Sequence, residues 1–512
     1  MEKEKFAIVD IGSNTMRLVI YERDNSGRLK EIENVKAVAR LRNYLNEENV
    51  LEEEGIKKML DTLKSFQEVS RHHQMKNVHT VATATIRQAV NKEEILQRAE
   101  TETDFSIRLL SEYEEAYYGY LAVVNSTSIK NGITIDIGGG STEITLFENR
   151  KLKEYHSFPF GALSLRKRFV NGELPDEKES ALLNAYIKEQ LQTLPWLNNK
   201  CLPVIGIGGS ARNLVQVDQA LKEYPFAGVH QYEMTPEDIK NVLTYLKSQS
   251  FEDLQRVDGL SKDRADLIIP AGMVFQILCS QVQADRFVMS RKGLRDGVFF
   301  EDLSREYGIS AYPNVVEESF YEMAADFRID LNHVIPVTNM VFDFVRLLEH
   351  HSLVSYSDEE LTDLKRGAFV FNLGQYIDSE SSSKHTFYLL ANRTIDGLTH
   401  KERLKTALIA SFVSKASLKQ YLEPFQDWFT KEEQKNIRTS GAVLKFIYSF
   451  NSTKRNIVDS LDLAIINGVL TVHAYCSADW GPEAYQAEKH KKHVEKLFRM
   501  PVEIIFSYSE RV

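Results

Sequence analysis

The sequence predicts an α/β fold built from two similar halves and followed by a mainly helical region. The halves are indicated by a short phrase that occurs twice: residues 10–22 (DIGSNTMRLVIYE) align without a gap with residues 136–148 (DIGGGSTEITLFE). The helical region is indicated by a change near residue 302, after which glycine becomes scarcer and helical periodicity dominates. At 512 residues the chain exceeds a single core and should contain about three domains.

Each copy of the phrase predicts a strand, a tight turn and a returning strand, because an apolar run precedes it and apolar–polar alternation follows it. Each turn starts with an aspartate and continues with small residues, which allow positive φ and let successive N–H groups point into one concavity. The aspartate adds a hard oxygen ligand for Mg²⁺. A plain hairpin turn without a ligand would explain either copy alone. The shared aspartate and register favour two facing phosphate loops.

The first half is predicted to follow a βββαβα order over residues 5–125. The expected elements after the first hairpin are a strand over 29–39, an amphipathic helix over 51–73, a strand over 78–82, a strand over 106–110 and a helix over 113–124. Acidic residues, including Glu115, fall at the start of the last helix, where capping of the helix N-terminus would also explain them. Residues 83–87 place hydroxyls and Arg87 at a strand end.

Residues 131–300 begin the same pattern again, with the second hairpin, helical stretches and a strand over 203–207. Gly208-Gly209-Ser210 follows this strand and opens a helix whose N-terminus could take an anion. Two similar α/β halves make the crevice between them the expected ligand site. Further along, the pattern predicts a helical bundle over 333–450 and a small ββαβ appendage over 461–506.

Composition restricts the classes of function. The net charge of −10 argues against broad, nonspecific binding to nucleic acid, so a polyanionic ligand would need a local basic cluster. The candidates are Arg17, Arg40, Arg42, Arg87, residues 166–168 and residues 291–292. Three distant cysteines indicate neither a disulfide framework nor a zinc site. With no apolar run of membrane-spanning length and no signal-like start, we expect a cytoplasmic protein.

Taken together, these residues resemble the exopolyphosphatase/guanosine pentaphosphate phosphohydrolase family of the actin-like ATPase superfamily. The matching motifs are residues 8–14, 82–87, 114–116, 135–143, 208–210, 264–266 and 294–297. The resemblance implies two actin-like (ribonuclease H-like) domains, over residues 1–125 and 126–301, which hydrolyse a terminal phosphoanhydride and release orthophosphate. It also implies a homodimer.

The same resemblance implies roles for individual residues. Asp10, Asp136 and Glu143 would serve the metal, Mg²⁺ or alternatively Mn²⁺. Glu115 would orient or deprotonate the attacking water, with Glu143 beside it, and Arg87 would neutralise the transferred phosphate. The phosphate-binding residues would be Gly12, Ser13, Asn14, Thr15, Arg17, Gly138, Gly139, Gly140, Ser141, Gly208, Gly209 and Ser210, with backbone amides of the two turns around the phosphate oxygens.

Residues 302–512 resemble the helical domain of the longer family members, which is similar to an HD phosphohydrolase domain. The similarity is degenerate, because Phe371 and Asn372 stand where that fold places a metal-binding His-Asp pair. Phenylalanine and asparagine do not form a normal divalent-metal site. We therefore expect this domain to serve as a substrate channel, a dimer contact or both.

Three functions remain open from the sequence. The first is an exopolyphosphatase acting on inorganic polyphosphate, and the second is an enzyme that removes the 5′-terminal phosphate of guanosine pentaphosphate. Both cleave the same kind of bond, so the site motifs do not separate them. The third is an alarmone sensor that keeps the fold without catalysis, which is disfavoured because every catalytic carboxylate is present. Neither DNA nor a membrane is an expected partner.

Overall fold

The computed structural model describes residues 4–23 and 29–509. The chain divides into two compact units, Met1–Tyr224 with Val229–Val315 and Pro225–Gly228 with Val316–Val512. The first unit contains two sheets, one from each half of the repeat, and the second is mainly helical. The domain boundaries near residues 125 and 301 stay predictions.

The first sheet carries the first copy of the repeated phrase and has the strand order β3-β2-β1-β4-β5. The central strand β1 pairs antiparallel with β2 and parallel with β4. In chain order the elements are β1 (Lys5–Ile11), β2 (Thr15–Arg23), β3 (Leu29–Val38), α1 (Glu53–His72), β4 (Val78–Ala82), α2 (Ala84–Gln88), α3 (Lys92–Glu102), β5 (Ile107–Leu109) and α4 (Glu112–Val124).

The second sheet repeats this arrangement around its own central strand, with the order β10-β11-β9-β6-β7-β8. Strand β6 pairs antiparallel with β7 and parallel with β9, as β1 does with β2 and β4. The elements are β6 (Gly132–Ile137), β7 (Thr142–Glu148), β8 (Lys151–Phe158), α5 (Ala162–Phe169), α6 (Glu177–Gln192), β9 (Val204–Ile207), α7 (Gly208–Leu221), β10 (Glu233–Met234), α8 (Pro236–Lys247), α9 (Phe251–Leu254), α10 (Ile268–Val282), β11 (Phe287–Met289) and α11 (Leu294–Tyr307).

Helix α4 packs against both sheets, which explains why most of its residues are buried. Tyr118 joins a buried cluster with Ile8 of β1, whereas Leu121 joins one with Phe147 of β7. Helix α11 crosses α4 at Gly297, where a Cβ would lie 2.7 Å from the Cα of Tyr118. A helix that is apolar on nearly every face needs such burial, and the packing fixes the start of α4 between the two halves.

The second unit consists of a helical bundle and a three-stranded sheet with the order β12-β13-β14. Its elements are α12 (Val315–Asp326), α13 (Leu331–His350), α14 (Asp358–Phe369), α15 (Ser382–Asn392), α16 (His400–Ala410), α17 (Lys415–Leu422), α18 (Lys431–Ser449), β12 (Val458–Ile466), β13 (Val469–Cys476), α19 (Gly481–His490), α20 (Lys492–Phe498) and β14 (Val502–Tyr508).

The predicted elements are present, but the structure adds strands β8, β10 and β11 to the second half, where the pattern predicts only the hairpin, helices and one further strand. Two more differences concern helices. The chain forms α2 and α3 between β4 and β5, where no helix was predicted. The single helix predicted in the appendage is divided at Lys491 into α19 and α20. Within the described part of the chain, no helix is both long and apolar enough to cross a membrane.

Candidate active site

The two repeated turns lie directly against each other. A Cβ on Gly139 would lie 2.9 Å from the Cβ of Ser13, and one on Gly140 would lie 3.0 Å from its Oγ. Real Cβ atoms essentially never approach as closely as 2.9 Å, so position 139 requires glycine whether or not a ligand is bound. A Cβ at position 140 would push against the Ser13 hydroxyl. The glycines that suggested a phosphate loop therefore also permit the contact between the halves.

Each turn closes with the same hydrogen bond. The amide of Gly12 donates to the Thr15 carbonyl at 3.0 Å, and that of Gly138 donates to the Ser141 carbonyl at 3.0 Å. These two amides are engaged inside their turns. Of the amides predicted to bind phosphate in residues 12–15 and 138–141, only those after Gly12 and after Gly138 therefore stay available for a ligand.

Equivalent strand positions carry the first charged side chains of the site. The register places Asp10 opposite Arg17 on β2, and Asp136 opposite Glu143 on β7. Directly opposed residues of antiparallel strands project from the same face of a sheet. The cross-strand partner of each aspartate is therefore charged: it is a cation in the first half and a carboxylate in the second.

The strand carboxylates are held in an environment that disfavours their charge. Burial raises the pKa of Asp10, although the guanidinium of Arg295 opposes the shift. Burial and the charge of Asp10 raise the pKa of Asp136 to about 6. Burial and the charge of Asp136 raise the pKa of Glu143 to about 7. A bound cation would relieve all three groups at once.

Glu115 adds a fourth carboxylate from the first turn of α4. Its side chain is buried and contacts Nη1 of Arg87, which also donates to the Leu110 carbonyl at 2.8 Å. Burial and the charge of Glu143 raise the pKa of Glu115 well above its ordinary value, against the effect of Arg87. A carboxylate with a raised pKa can take up a proton near neutral pH, as a general base must.

Cationic side chains line the same cavity. They are Arg17, Lys36, Arg212, Arg264, Arg291 and Arg295. Burial lowers the pKa of Arg212, and the charges of Arg295, Arg291 and Arg264 lower it further. Within the described residues, Nη1 of Arg295 is buried without a hydrogen-bond partner. Mutually repelling cations of this kind are compensated by a bound anion.

The cavity between the turns has a volume of about 420 Å³. The predicted site residues that line it are Asp10, Gly12, Ser13, Asn14, Thr15, Arg17, Glu115, Asp136, Gly138, Gly139, Ser141, Glu143, Gly208 and Gly209. The side-chain Oδ1 and Nδ2 of Asn14 are buried and have no hydrogen-bond partner in the part of the chain that the structure describes. Buried polar atoms are normally paired, so this amide indicates a ligand at the turn.

Three predicted residues lie outside the cavity lining. Arg87 lies behind Glu115, so the structure does not place it on a transferred phosphate and gives it the position of a partner for that carboxylate. Gly140 lies against Ser13 in the contact between the turns. Ser210 accepts a hydrogen bond at 3.3 Å from Nη1 of Arg264, which does line the cavity.

The carboxylates suit a metal that takes only part of its coordination from protein. Across residues 4–23 and 29–509, no group of three or more His, Cys, Asp or Glu side chains is arranged to hold a metal ion. Mg²⁺ usually keeps several waters and uses one or two carboxylates with substrate phosphates. Asp10 and Asp136, with raised pKa values and no salt bridge among the described residues, fit that mode. The described residues of the second unit contain no such group either. There Asn372 adopts φ +59°, and the Phe371 ring centroid lies 4.8 Å from that of Tyr448. The likeness of that unit to an HD domain stays a prediction.

A short turn of the second half bridges to the first half beside the cavity. Asp263 pairs with Lys36 at 2.9 Å, and Asp266 pairs with Arg40 at 3.2 Å and with Arg166 at 3.4 Å. The predicted basic candidate Arg166 lies on α5 of the second half, so its pairing with Asp266 is a contact within that half. Arg264 lies within the same turn and extends over Gly209 into the cavity.

Sequence reasoning did not identify Lys36 or Arg212 as site residues. Lys36 lies opposite Arg17 in the β2–β3 register, which no local motif specifies. Arg212 follows Gly208 by four residues on α7, so helical spacing from the glycine turn could have indicated it. Arg264 and Arg295 stand within motifs that were recognised, but neither received a role.

Comparisons with known proteins identify the family to which the chain is similar. The model of the "Ppx/GppA phosphatase family" matches residues 19–306, and that of "Ppx/GppA phosphatase, domain III" matches residues 315–469. A guanosine-5′-triphosphate,3′-diphosphate pyrophosphatase of Photobacterium profundum is 25% identical over 415 residues, which are 78% of each chain. A bifunctional 3-dehydroquinate synthase/phosphatase of Fusobacterium nucleatum is 27% identical over 59% of this chain, which spans 47% of that relative.

The solved structures give the same relationship. The Ppx/GppA family member of Aquifex aeolicus is 27% identical, with a TM-score of 0.52 over 59% of this chain and 99% of that one. These comparisons confirm the predicted pair of actin-like halves and the helical C-terminal region.

We expect Gly208→Ala to destabilise the first unit by more than the cost of placing an alanine in the left-handed backbone region. Gly208 has φ +84°, and an added Cβ would lie 2.5 Å from Oδ1 of Asp136. The backbone strain costs about 1–2 kcal/mol, and crowding of the carboxylate adds about 1–3 kcal/mol. The measurement is the free energy of unfolding in urea.

Gly308→Ala is the matched control, because Gly308 has φ +66° in the same unit with no atom within 4 Å of an added Cβ. It should lose only the cost of backbone strain. Equal losses in the two variants would contradict the contact between residue 208 and Asp136.

Proposed function

The chain belongs to the Ppx/GppA phosphatase family, and we propose that it is a metal-dependent exopolyphosphatase. In this proposal it hydrolyses the terminal phosphoanhydride of inorganic polyphosphate and releases orthophosphate. The cavity lining carries the proposal: among the described residues it combines six cationic side chains with no aromatic one. A chain made only of phosphates needs charge along its length, whereas a guanine base is commonly held by stacking or by paired hydrogen bonds.

The proposed reaction needs positioning and charge compensation more than covalent catalysis. Asp10 and Asp136 would hold Mg²⁺, or alternatively Mn²⁺, which when bound neutralises charge on the phosphate oxygens. Arg17, Arg212 and Arg295 compensate the remaining negative charge of the substrate. The amides that follow Gly12 and Gly138 and the side chain of Asn14 orient the terminal phosphate.

Glu115 is the proposed general base. Water attacks the terminal phosphorus while its proton passes to the Glu115 carboxylate, and the bond to the bridging oxygen breaks. The leaving chain, one phosphate shorter, keeps the electron pair of that bond. Arg87 holds Glu115 in place, and the raised pKa of Glu115 favours proton uptake. Glu143, whose Oε1 accepts from the Ser157 hydroxyl at 2.9 Å, supports the water and the metal from the opposite strand.

A second candidate is a guanosine pentaphosphate 5′-phosphohydrolase. The names of relatives favour it, because the Photobacterium profundum protein and others with 24–26% identity are called guanosine-5′-triphosphate,3′-diphosphate pyrophosphatases. Retention of Glu115, Asp10, Asp136 and Glu143 supports either enzyme over an alarmone sensor. The resemblance further supports proposals that the protein is cytoplasmic and acts as a homodimer.

Orthophosphate release from long-chain polyphosphate and from guanosine pentaphosphate should be measured side by side at matched concentrations of chain ends. We expect kcat/KM to be at least about tenfold higher for polyphosphate, a difference of about 1.4 kcal/mol in transition-state binding. A preference for guanosine pentaphosphate would replace the proposal by the second candidate. No release from either substrate would reject hydrolysis of both.

Glu115→Gln should lower turnover by about two to four orders of magnitude, the usual contribution of a positioned general base. KM should change little, because the substrate charge is met by the arginines. The control is Glu112→Gln, an exposed acid in the first turn of the same helix, which should keep the parent rate. Near-parent turnover in Glu115→Gln would remove Glu115 from the mechanism.

Asp10→Asn and Asp136→Asn should each raise the Mg²⁺ concentration for half-maximal activity. Loss of a direct ligand should cost no less than the roughly 10- to 100-fold known for outer partners of metal ligands. Neither variant should unfold more easily, because each removes a carboxylate whose charge is disfavoured in the folded protein. Asp258→Asn, an exposed site in the same unit, serves as control. Parent-like Mg²⁺ titrations in both variants would place the metal elsewhere.

A further inference from the structure

A second group of basic side chains lies in the helical unit, where three helices meet. Lys445 on α18, His490 at the end of α19 and His493 on α20 share one half-buried surface. The two imidazole rings are nearly parallel, with centroids 5.9 Å apart. Nζ of Lys445 lies 5.8 Å from the ring centroid of Phe371. This group is called the α18–α20 cluster below.

The acids nearest in sequence are all engaged elsewhere. Glu483 pairs with Arg455 at 2.5 Å, and Glu488 pairs with Lys491 at 2.7 Å. Glu495 accepts a hydrogen bond at 3.1 Å from the amide of the first residue of β14. Helices α19 and α20 therefore offer the cluster no carboxylate.

Among the described residues, the charged groups that act most strongly on the cluster are positive. Burial, followed by the charge of Lys445, lowers the pKa of both His490 and His493 to about 4. Burial and the charge of Lys489 lower the pKa of Lys445 itself. Lys492 and Lys496 add positive charge around the same rings. These lysines give the cluster a local excess of positive charge.

Two observations distinguish this cluster from lysines on an ordinary solvated surface. Nδ1 of His490 is buried and has no hydrogen-bond partner among the described residues. Within the same residues, Lys445 makes no ion pair, although its side chain is half-buried and its Nζ lies over the aromatic ring of Phe371. Buried polar atoms and half-buried charges normally have partners, so both observations indicate a missing anion.

We propose that Lys445, His490 and His493 form a second anion site, which binds a phosphate group. Phosphate oxygens accept hydrogen bonds from an ammonium group and from imidazole N–H groups, and charge-assisted bonds of this kind are the strong ones. The ligand class is a phosphate-bearing anion: orthophosphate, the end of an inorganic polyphosphate or the phosphate of a nucleotide. The site stands whether or not the cavity of the first unit hydrolyses polyphosphate.

The place of the cluster gives it a chemical interpretation. By the predicted likeness to an HD domain, Phe371 and Asn372 would take the positions of metal ligands, and Nζ of Lys445 lies over the ring of Phe371. A lysine supplies a permanent positive charge without a metal. The helical unit would therefore bind a phosphate at this position through side chains alone and would leave it intact, because the cluster contains no carboxylate to activate water.

The test uses the full chain with its histidines labelled with ¹³C at Cε1, and His490→Gln and His493→Gln to assign the two signals. Orthophosphate, tripolyphosphate and guanosine tetraphosphate are titrated separately at constant ionic strength. We expect saturable shifts of both signals with at least one of these anions. The anion that binds most tightly identifies the source of the phosphate.

Lys445→Met keeps the apolar stem over Phe371 and should weaken the apparent affinity at least about tenfold, whereas Lys445→Arg should retain it. Lys491→Met is the matched control, because Lys491 lies between α19 and α20 but pairs with Glu488, and it should bind like the parent. Shifts that chloride reproduces, or that persist unchanged in Lys445→Met, would overturn the site. So would an absence of saturable shifts with all three anions.

Discussion

The contact between the two glycine turns is the constraint on which the rest of the active site depends. Because Gly139 and Gly140 lie against Ser13, the central strands of both sheets end at one point, and Asp10 and Asp136 meet there. A Cβ at position 139 would clash with Ser13, so a larger side chain there would force the two turns to shift. The burial of the carboxylates, their raised pKa values and the position of the cationic walls all follow from this approach.

The result is a cavity whose charges oppose folding. Asp10, Asp136 and Glu143 are buried where their charge is disfavoured, and the arginines offset this only in part while they repel one another. Such an arrangement costs stability in the free protein. A bound metal and phosphate would offset this cost, because ligands that bind only the folded state stabilise that state by mass action.

The sequence predicted the parts of the site that lie in contiguous motifs. The repeated phrase located Asp10, Asp136 and both turns, whereas Glu115 was distinguished from the other acids at the start of α4 only by the family resemblance. Lys36 could not be found in this way, because its place depends on the register between β2 and β3. The pairing of Arg87 with Glu115 depends on how a short helix packs beside α4, and α2 itself is too short for periodicity to reveal. Local patterns thus specify turns and strands, whereas side-chain partners depend on how the elements pack.

The register of the repeat has one further consequence. Residues 17 and 143 occupy the same position of the two hairpins, yet one is arginine and the other is glutamate. The two hairpins share the same strand pairing, but the charges at this position are opposite. Linear inorganic polyphosphate, the proposed substrate, has two chemically identical ends, so the molecule itself does not determine which end enters first. For this proposed substrate, the direction of binding would be set by the protein alone. Either end could enter the crevice, but hydrolysis would occur only on the side that carries the carboxylate.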